Sequence, residues 1–492
     1  MPSSSDHIAE GYLLPRRATY LAFAGVMLGM LLAALNQTIV ATALPRIVAD
    51  LGGVAHYSWV FSAYMLASTV TVPIYGKLSD IYGRRRFFVA GIVIFMAGAV
   101  LGGTAGSMTQ LVAARAVQGL GAGALIPLAV ATIGDLVPPR DRGRWQGLTG
   151  AVFGLASILG PFTGGWIADN ADWRWVFFVS LPVGLVALVV VSATLKIPPH
   201  PERVRRVDYA GAALLAVGLT SGLLATVWGG DEHPWGSAQV LGLFAASAAI
   251  LAVFVVHERR VDEPIVPVEL FGRRVFSATN ATGFSTGVAM FGAIMFVPLF
   301  VQGVIGASAT SSGLVLTPLM LALILTSVGS GQVISRTGRY RWALLAGPLI
   351  MLAGFVLLSG LDARSTSGSA TVAMIVLGLG LGLLLQNLTL VVQNAVPSRY
   401  MGAATSSAQF FRTIGGTIGV TVMGAILTAR MPAGASGARL AAAIHPVFVI
   451  GIPLMAITFL IALLIPEIPL RRSVRDDAPA AAPAAEPAQL AA

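Results

Sequence analysis

Leu111-Val-Ala-Ala-Arg115-Ala-Val-Gln118-Gly119-Leu-Gly121-Ala-Gly123 leads into a charged turn, Pro138-Pro139-Arg140-Asp141-Arg142-Gly143-Arg144. The chain returns as Gly154-Leu-Ala-Ser-Ile-Leu-Gly160-Pro161-Phe-Thr-Gly164-Gly165. Two apolar arms around a charged turn read as a helical hairpin that crosses a bilayer twice. A charge in hydrocarbon costs a few kcal/mol even on the mildest scales, so Arg115 is a site candidate. The stretch also recurs 259 residues later. That shift carries Gly119, Gly121 and Gly123 onto Gly378, Gly380 and Gly382, and Val137-Pro138, Arg140 and Gly143 onto Val396-Pro397, Arg399 and Gly402. It also carries Gly160 onto Gly419 and Gly165 onto Gly424. The chain is a duplication, and this hairpin is its best-preserved unit.

Of the 492 residues, 56% are hydrophobic and only 11% charged, with a mean hydropathy of +0.82. Soluble domains are about a quarter charged, so lipid must solvate most of this chain. Apolar runs fit helices at 18–43, 57–75, 87–105, 109–134, 145–169 and 174–195, then at 209–228 and 238–257. A last set fits 275–303, 310–334, 342–361, 370–394, 401–428 and 446–465. The reading is an all-α multipass membrane protein of fourteen spans. A cytoplasmic N-terminus (1–17) precedes a six-helix bundle (18–195), a connector with two inserted helices (196–274), a second six-helix bundle (275–466) and a tail expected to be disordered (467–492).

The +10 net charge is distributed by loop. Arg46, Arg174, Arg364, Arg430 and Arg439 fall on one side of the fourteen spans, Arg115 and Arg412 lie within spans, and every other Lys and Arg falls on the opposite side. That asymmetry places both termini in the cytoplasm, and it removes the nucleic-acid reading of the basic pI. Cysteine is absent, which excludes disulfides, thiolate metal sites and thiol nucleophiles. No P-loop is present, because Gly76-Lys77 is followed by Leu78 and lacks the upstream glycine.

Several motifs carry chemistry. Gly76-Lys-Leu-Ser-Asp80-Ile-Tyr-Gly83-Arg84-Arg85-Arg86 makes a tight charged reversal, with a degenerate twin at Gly331-Gln-Val-Ile-Ser335-Arg-Thr-Gly338-Arg339. Arg115 and Gln118 share one helix face. Glycines four residues apart (Gly119/Gly123, Gly150/Gly154, Gly160/Gly164, Gly415/Gly419) suit close helix packing, and Pro161 removes a backbone bond and bends its helix. Leu35-Asn36-Gln37-Thr38-Ile39-Val40-Ala41-Thr42-Ala43-Leu44-Pro45 and Asp169-Asn-Ala-Asp172-Trp173-Arg174-Trp175 complete the set.

On these motifs the chain resembles the major facilitator superfamily, and within it the fourteen-helix drug:proton antiporter branch. The resemblance covers essentially the whole chain. It implies two six-helix bundles that rock about a midplane site. It makes Gly76, Asp80, Gly83, Arg84, Asp135 and Arg140 a cytoplasmic switch, Gly154, Gly160, Pro161 and Gly164 the antiporter helix, and Arg115 a coupling or substrate residue. It implies no metal and no cofactor beyond a proton as coupling ion. The partners it implies are a lipophilic small molecule or a lipid, with surrounding membrane lipids, and a monomer in a bacterial plasma membrane.

One position departs from the pattern. The branch usually carries an acid where this chain has Asn36, and none of the 21 acidic residues lies at mid-depth of an expected span. Either coupling runs through Asp135 or Asp80, or the protein is not proton-driven, or Asn36 stands in for a native aspartate. Without a carboxylate partner, Arg115 and Gln118 are expected to face a wet cavity. Arg412 either serves that cavity or reaches back toward the cytoplasm. Gln37, Tyr64, Phe284, Phe291, Gln302, Gln386, Asn387, Gln393 and Gln409 are amide and aromatic candidates for a large neutral or anionic substrate, with Met27, Met30, Met65, Met290 and Met295 as an adaptable wall. The function expected is export of hydrophobic small molecules, with a lipid or glycolipid exporter as alternative. A membrane enzyme is the remote alternative, since no acidic metal cluster or nucleophile–base pair is visible.

Overall fold

The computed structural model describes residues 16–52, 57–195, 207–230, 232–306, 309–397, 400–430 and 437–470. The first half holds α1 (Arg16–Leu51), α2 (Tyr57–Tyr82), α3 (Arg84–Gly103), α4 (Met108–Leu136), α5 (Pro139–Asn170), α6 (Trp175–Phe178) and α7 (Ser180–Thr194). A pair follows, α8 (Tyr209–Trp228) and α9 (Ala238–Glu258). The second half holds α10 (Arg274–Gly303), α11 (Ala309–Thr337), α12 (Arg341–Ser359), α13 (Ser367–Ala395), α14 (Met401–Arg430) and α15 (Gly437–Leu463).

Among the described residues, 12 helices are long and apolar enough to cross a membrane, with α6 and α7 forming one span, Trp175–Thr194. The helices α2 and α5 are as long, at 26 and 32 residues. The helix α5 starts at Pro139 rather than near 145: proline suits the first helical position, so the charged turn becomes the helix's first turn. The helix α15 likewise starts at Gly437 and takes Pro446 inside it, where 446 had been the expected start. The other turns follow local chemistry: the Ser107 side chain caps α4 by accepting from Gln110 N, and Thr366 and Ser369 form a capping box on α13.

Each half has its own core. One apolar cluster lies within Val275–Ile465 and two others within Ala22–Leu195. The duplication reappears as packing. A Cβ on Gly119 of α4 would lie 3.0 Å from Ala67 Cβ of α2, and one on Gly378 of α13 would lie 3.0 Å from Ala322 Cβ of α11. On the next face, a Cβ on Gly121 would lie 2.6 Å from Gly91 O of α3, and one on Gly380 would lie 2.7 Å from Gly347 O of α12. These glycines let backbones touch, which is what holds helices together where lipid removes the hydrophobic drive. The twin helices α4 and α13 are accordingly the most enclosed, each with 78% of its central window buried.

The pair α8/α9 sits at the margin, and α9 has only 11% of its window buried. Its inner side packs on α2 and α14 through Leu215, Leu219, Leu223 and Phe254 against Val70, Val72 and Phe410. It is tied to α2 at both ends. Trp59 Nε1 donates to Glu232 at 2.7 Å, and Lys77 Nζ meets Glu263 at 2.5 Å. The expected connector at 198–206 and the expected termini at 1–15 and 471–492 lie outside the described residues.

Candidate functional site

The arginine-rich end of the molecule is built from the Gly76–Arg86 turn. Gly83 adopts φ 95°, a conformation open to glycine, and this turns α3 sharply back beneath α2. Arg84 is thereby buried between two acids. Its Nε donates to Asp135 Oδ2 at 2.7 Å, its Nη2 meets Asp80 Oδ1 at 2.6 Å, and its Nη1 donates to Ser79 Oγ at 2.5 Å. Asp80 then reaches the other half. Its Oδ1 accepts from Gly402 N and its Oδ2 from Ala403 N, both at 2.9 Å. Those N–H groups belong to the first turn of α14, where a helix presents its positive end. An acid on one half therefore holds a helix terminus of the other, and Arg84 with Asp135 holds the acid.

Close backbone approach completes the closure on two seams. A Cβ on Gly76 would lie 2.9 Å from Gly402 O, and one on Gly143 would lie 2.7 Å from Gly331 O. The two contacts are copies, since Gly76 and Gly331 are equivalent in the repeat, as are Gly143 and Gly402. Further along α5, a Cβ on Gly147 would lie 3.0 Å from Ser327 O of α11, and one on Gly154 would lie 2.8 Å from Ile324 Cγ1. Between the seams, Gln146 Nε2 donates to Gln393 Oε1 at 2.7 Å, and Gln393 Nε2 donates to Val130 O at 3.1 Å and Thr405 Oγ1 at 3.0 Å. Gln393, a cavity candidate on sequence grounds, thus bonds across the two halves. The copies are not chemically equal: Ser335 stands where Asp80 stands, and its Oγ accepts from Arg144 N at 3.3 Å.

Deeper in the first half, Arg115 lies between α1, α2 and α4. Its Nη1 donates to Asn36 Oδ1 at 2.7 Å and Gln118 Oε1 at 2.6 Å, its Nε donates to Val60 O at 3.1 Å, and the Tyr64 ring covers it at 4.2 Å. The expectation of a wet cavity around Arg115 and Gln118 does not hold here, because both are 0% exposed. Asn36 occupies the partner position and the tyrosine face shields the cation. Gln37 donates to Met65 Sδ at 2.8 Å. In the second half, Arg412 is partly buried and donates to Gln409 Oε1 from mid-α14, one helical turn apart. Phe291 packs on Gly416, and Asn387 joins α13 to α11 through Ser330 Oγ at 3.1 Å, with Gln386 buried beside it.

The glycines expected on an antiporter helix divide. Gly154 faces the other half, whereas Gly160 faces α1, where an added Cβ would lie 2.6 Å from Thr38 Cβ, and its repeat partner Gly419 faces Val288 of α10 in the same manner. Gly164 is buried. The side chains of Arg140 and Pro161 lie outside the described residues. Sequence reasoning brought Asp80, Arg84 and Asp135 together but missed their target, because a helix N-terminus is a backbone feature with no residue signature. It also missed Glu263 as the partner of Lys77. The signal available was the repeat itself, which pairs Gly76 with Gly331 and Gly143 with Gly402.

A family model described as Major Facilitator Superfamily matches residues 26–420. The chain is 43% identical over 410 residues to multidrug transporter protein MdtP of Bacillus subtilis (strain 168), covering 83% of this chain and 75% of that protein. It is 39% identical over 404 residues to multidrug resistance protein 3 of the same organism, covering 82% and 78%. Among solved structures, the human organic anion transporter MFSD10 (TETRAN) superposes with a TM-score of 0.67 at 15% identity over 90% of this chain and 99% of that one, a likeness of fold alone.

Proposed function

Because the chain belongs to the Major Facilitator Superfamily, with its model spanning residues 26–420, we propose that it is a plasma-membrane exporter of hydrophobic and amphipathic small molecules, including drugs, working by alternating access. Its end rich in arginine is the cytoplasmic one. The observation that carries the mechanism is Asp80 on the α14 N-terminus: a charge on one rigid bundle holds a helix end of the other, at 2.9 Å through each oxygen. Two bundles with separate cores move as bodies, and a contact of this kind biases their equilibrium by a few kcal/mol while remaining breakable. The substrate class rests on the 43% identity to a multidrug transporter.

Proton antiport is the coupling we propose. It runs through the gate, because Asn36 does not titrate and Arg115 has Asn36 as its partner where the branch pattern has an acid. Protonating Asp80 or Asp135 removes the charge that Arg84 and α14 hold, and this frees the cytoplasmic end to open. In proteoliposomes, a lipophilic dye should leave faster under an inwardly directed pH gradient than without one. Asp135→Asn should abolish that acceleration while downhill dye movement persists. Dye flux equal to that of protein-free liposomes would overturn the export reading. Acceleration retained in Asp135→Asn and in Asp80→Asn would overturn the coupling route alone.

A further inference from the structure

The cluster around Arg115 is short of acceptors. Its Nη1 carries two hydrogens and meets two carbonyl oxygens, Asn36 Oδ1 and Gln118 Oε1, so that nitrogen is saturated. Both amides spend their oxygens on the one cation, which leaves their amino groups over. Asn36 Nδ2, Gln118 Nε2 and Arg115 Nη2 are all buried and meet no acceptor among the described residues. Neither amide can be reversed, because that would set an amino group against the guanidinium hydrogens. The unused groups are therefore donors: each amide nitrogen shares a carbon with an oxygen that meets Nη1, and Nη2 shares Cζ with Nη1 itself.

Charge points the same way. No Asp or Glu among the described residues comes within 4.0 Å of Arg115. A buried donor without an acceptor costs about 1–3 kcal/mol, and a buried cation without a counter-charge costs several more. The Tyr64 ring lies over the guanidinium at 4.2 Å and so blocks one face. The Nη2 edge is what remains for a ligand.

We propose that Asn36, Arg115 and Gln118 form a binding site for one singly charged anionic group, a halide or a carboxylate, held at the Nη2 edge of Arg115 by the two amide N–H2 groups. One net positive charge calls for one negative charge, and the enclosed position disfavours a doubly charged ion. The halide form stands independently of the export reading. The carboxylate form rests on that reading and specifies it further, since the exported compound would then carry the carboxylate.

The test uses the full-length protein purified in halide-free detergent. Its thermal unfolding midpoint is followed during titration with sodium chloride, and separately with sodium benzoate, each against sodium sulfate at matched ionic strength. A saturable rise with chloride supports the halide form, and one with benzoate alone supports the carboxylate form. Asn36→Asp supplies the counter-charge from within, and Gln118→Glu does so from the opposite side. Each should weaken the apparent affinity at least tenfold, so either variant serves if the other fails to fold. The proposal is overturned if neither chloride nor benzoate gives a saturable rise over sulfate, or if both folded variants keep the original affinity. No transport is measured, so failure here leaves the export reading standing, and failure of export leaves the binding result standing.

Discussion

Asp80 does its work with two oxygens and two backbone N–H groups. Charge-assisted bonds of this kind are each worth about 1.5–3 kcal/mol, more than a neutral pair, because the charge also meets the positive end of α14. Asp80→Asn keeps the shape and removes the charge, and it leaves Asp135 as the carboxylate paired with Arg84. The population opened at the cytoplasmic end should rise roughly tenfold or more, since about 1.4 kcal/mol is a factor of ten. The chain has no cysteine, so Gln146→Cys gives a single reporter in the seam, and its maleimide labelling rate should rise accordingly. An unchanged rate would sink the latch. Much of this triad was legible beforehand, since Asp80 and Arg84 lie four residues apart in one motif. Its partner was not, because Gly402 and Ala403 act through their main chain, which has no residue code.

At the scale of elements, the repeat explains why one gate has a strong seam and a weak one. The α2/α14 seam carries the carboxylate of Asp80, whereas the α5/α11 seam carries the uncharged Ser335 at the equivalent place, where it accepts from Arg144 N at 3.3 Å. Ser335→Asp should place a carboxylate beside Arg144 in the second turn of α5 and tighten the weak seam, lowering both labelling at Gln146→Cys and dye turnover severalfold. This variant and Asp80→Asn are expected to move the same reporter in opposite directions. The pair α8/α9 is bound to α2 by Glu232 and Glu263, and so it should travel with the first bundle and slide over α14. Glu263→Gln leaves a buried Lys77 without its carboxylate. A loss on the order of 1–3 kcal/mol should appear as a lower unfolding midpoint. A midpoint that does not move would show that the tie contributes nothing.

For the molecule as a whole, the conformation described is closed at the arginine-rich end along both seams. Gly150 of α5 and Ser327 of α11 offer a direct way to hold it there. A Cβ on Gly150 would lie 3.3 Å from Ser327 Cβ, close to the separation of about 3.5–4.5 Å that a disulfide spans. The double variant Gly150→Cys/Ser327→Cys should lose transport on oxidation and regain it on reduction. Full activity in the oxidised protein would mean that this seam never opens, and the alternating-access reading would fall with it.

Composition and periodicity alone determined that the chain lives in lipid, that it is a duplication of six-helix units with a pair between them, and which end carries the arginines. These follow from short-range physics: spans must be apolar, glycines must recur where helices meet, and charges stay out of hydrocarbon. Only the tertiary structure decided which neighbour each glycine touches, that Gln393 bonds across the two halves, and that Arg115 is enclosed by Asn36, Gln118 and Tyr64. A helix face has a period that can be read from the chain, but its partner is fixed by how two bundles meet. That meeting depends on backbone groups and on side chains hundreds of residues apart.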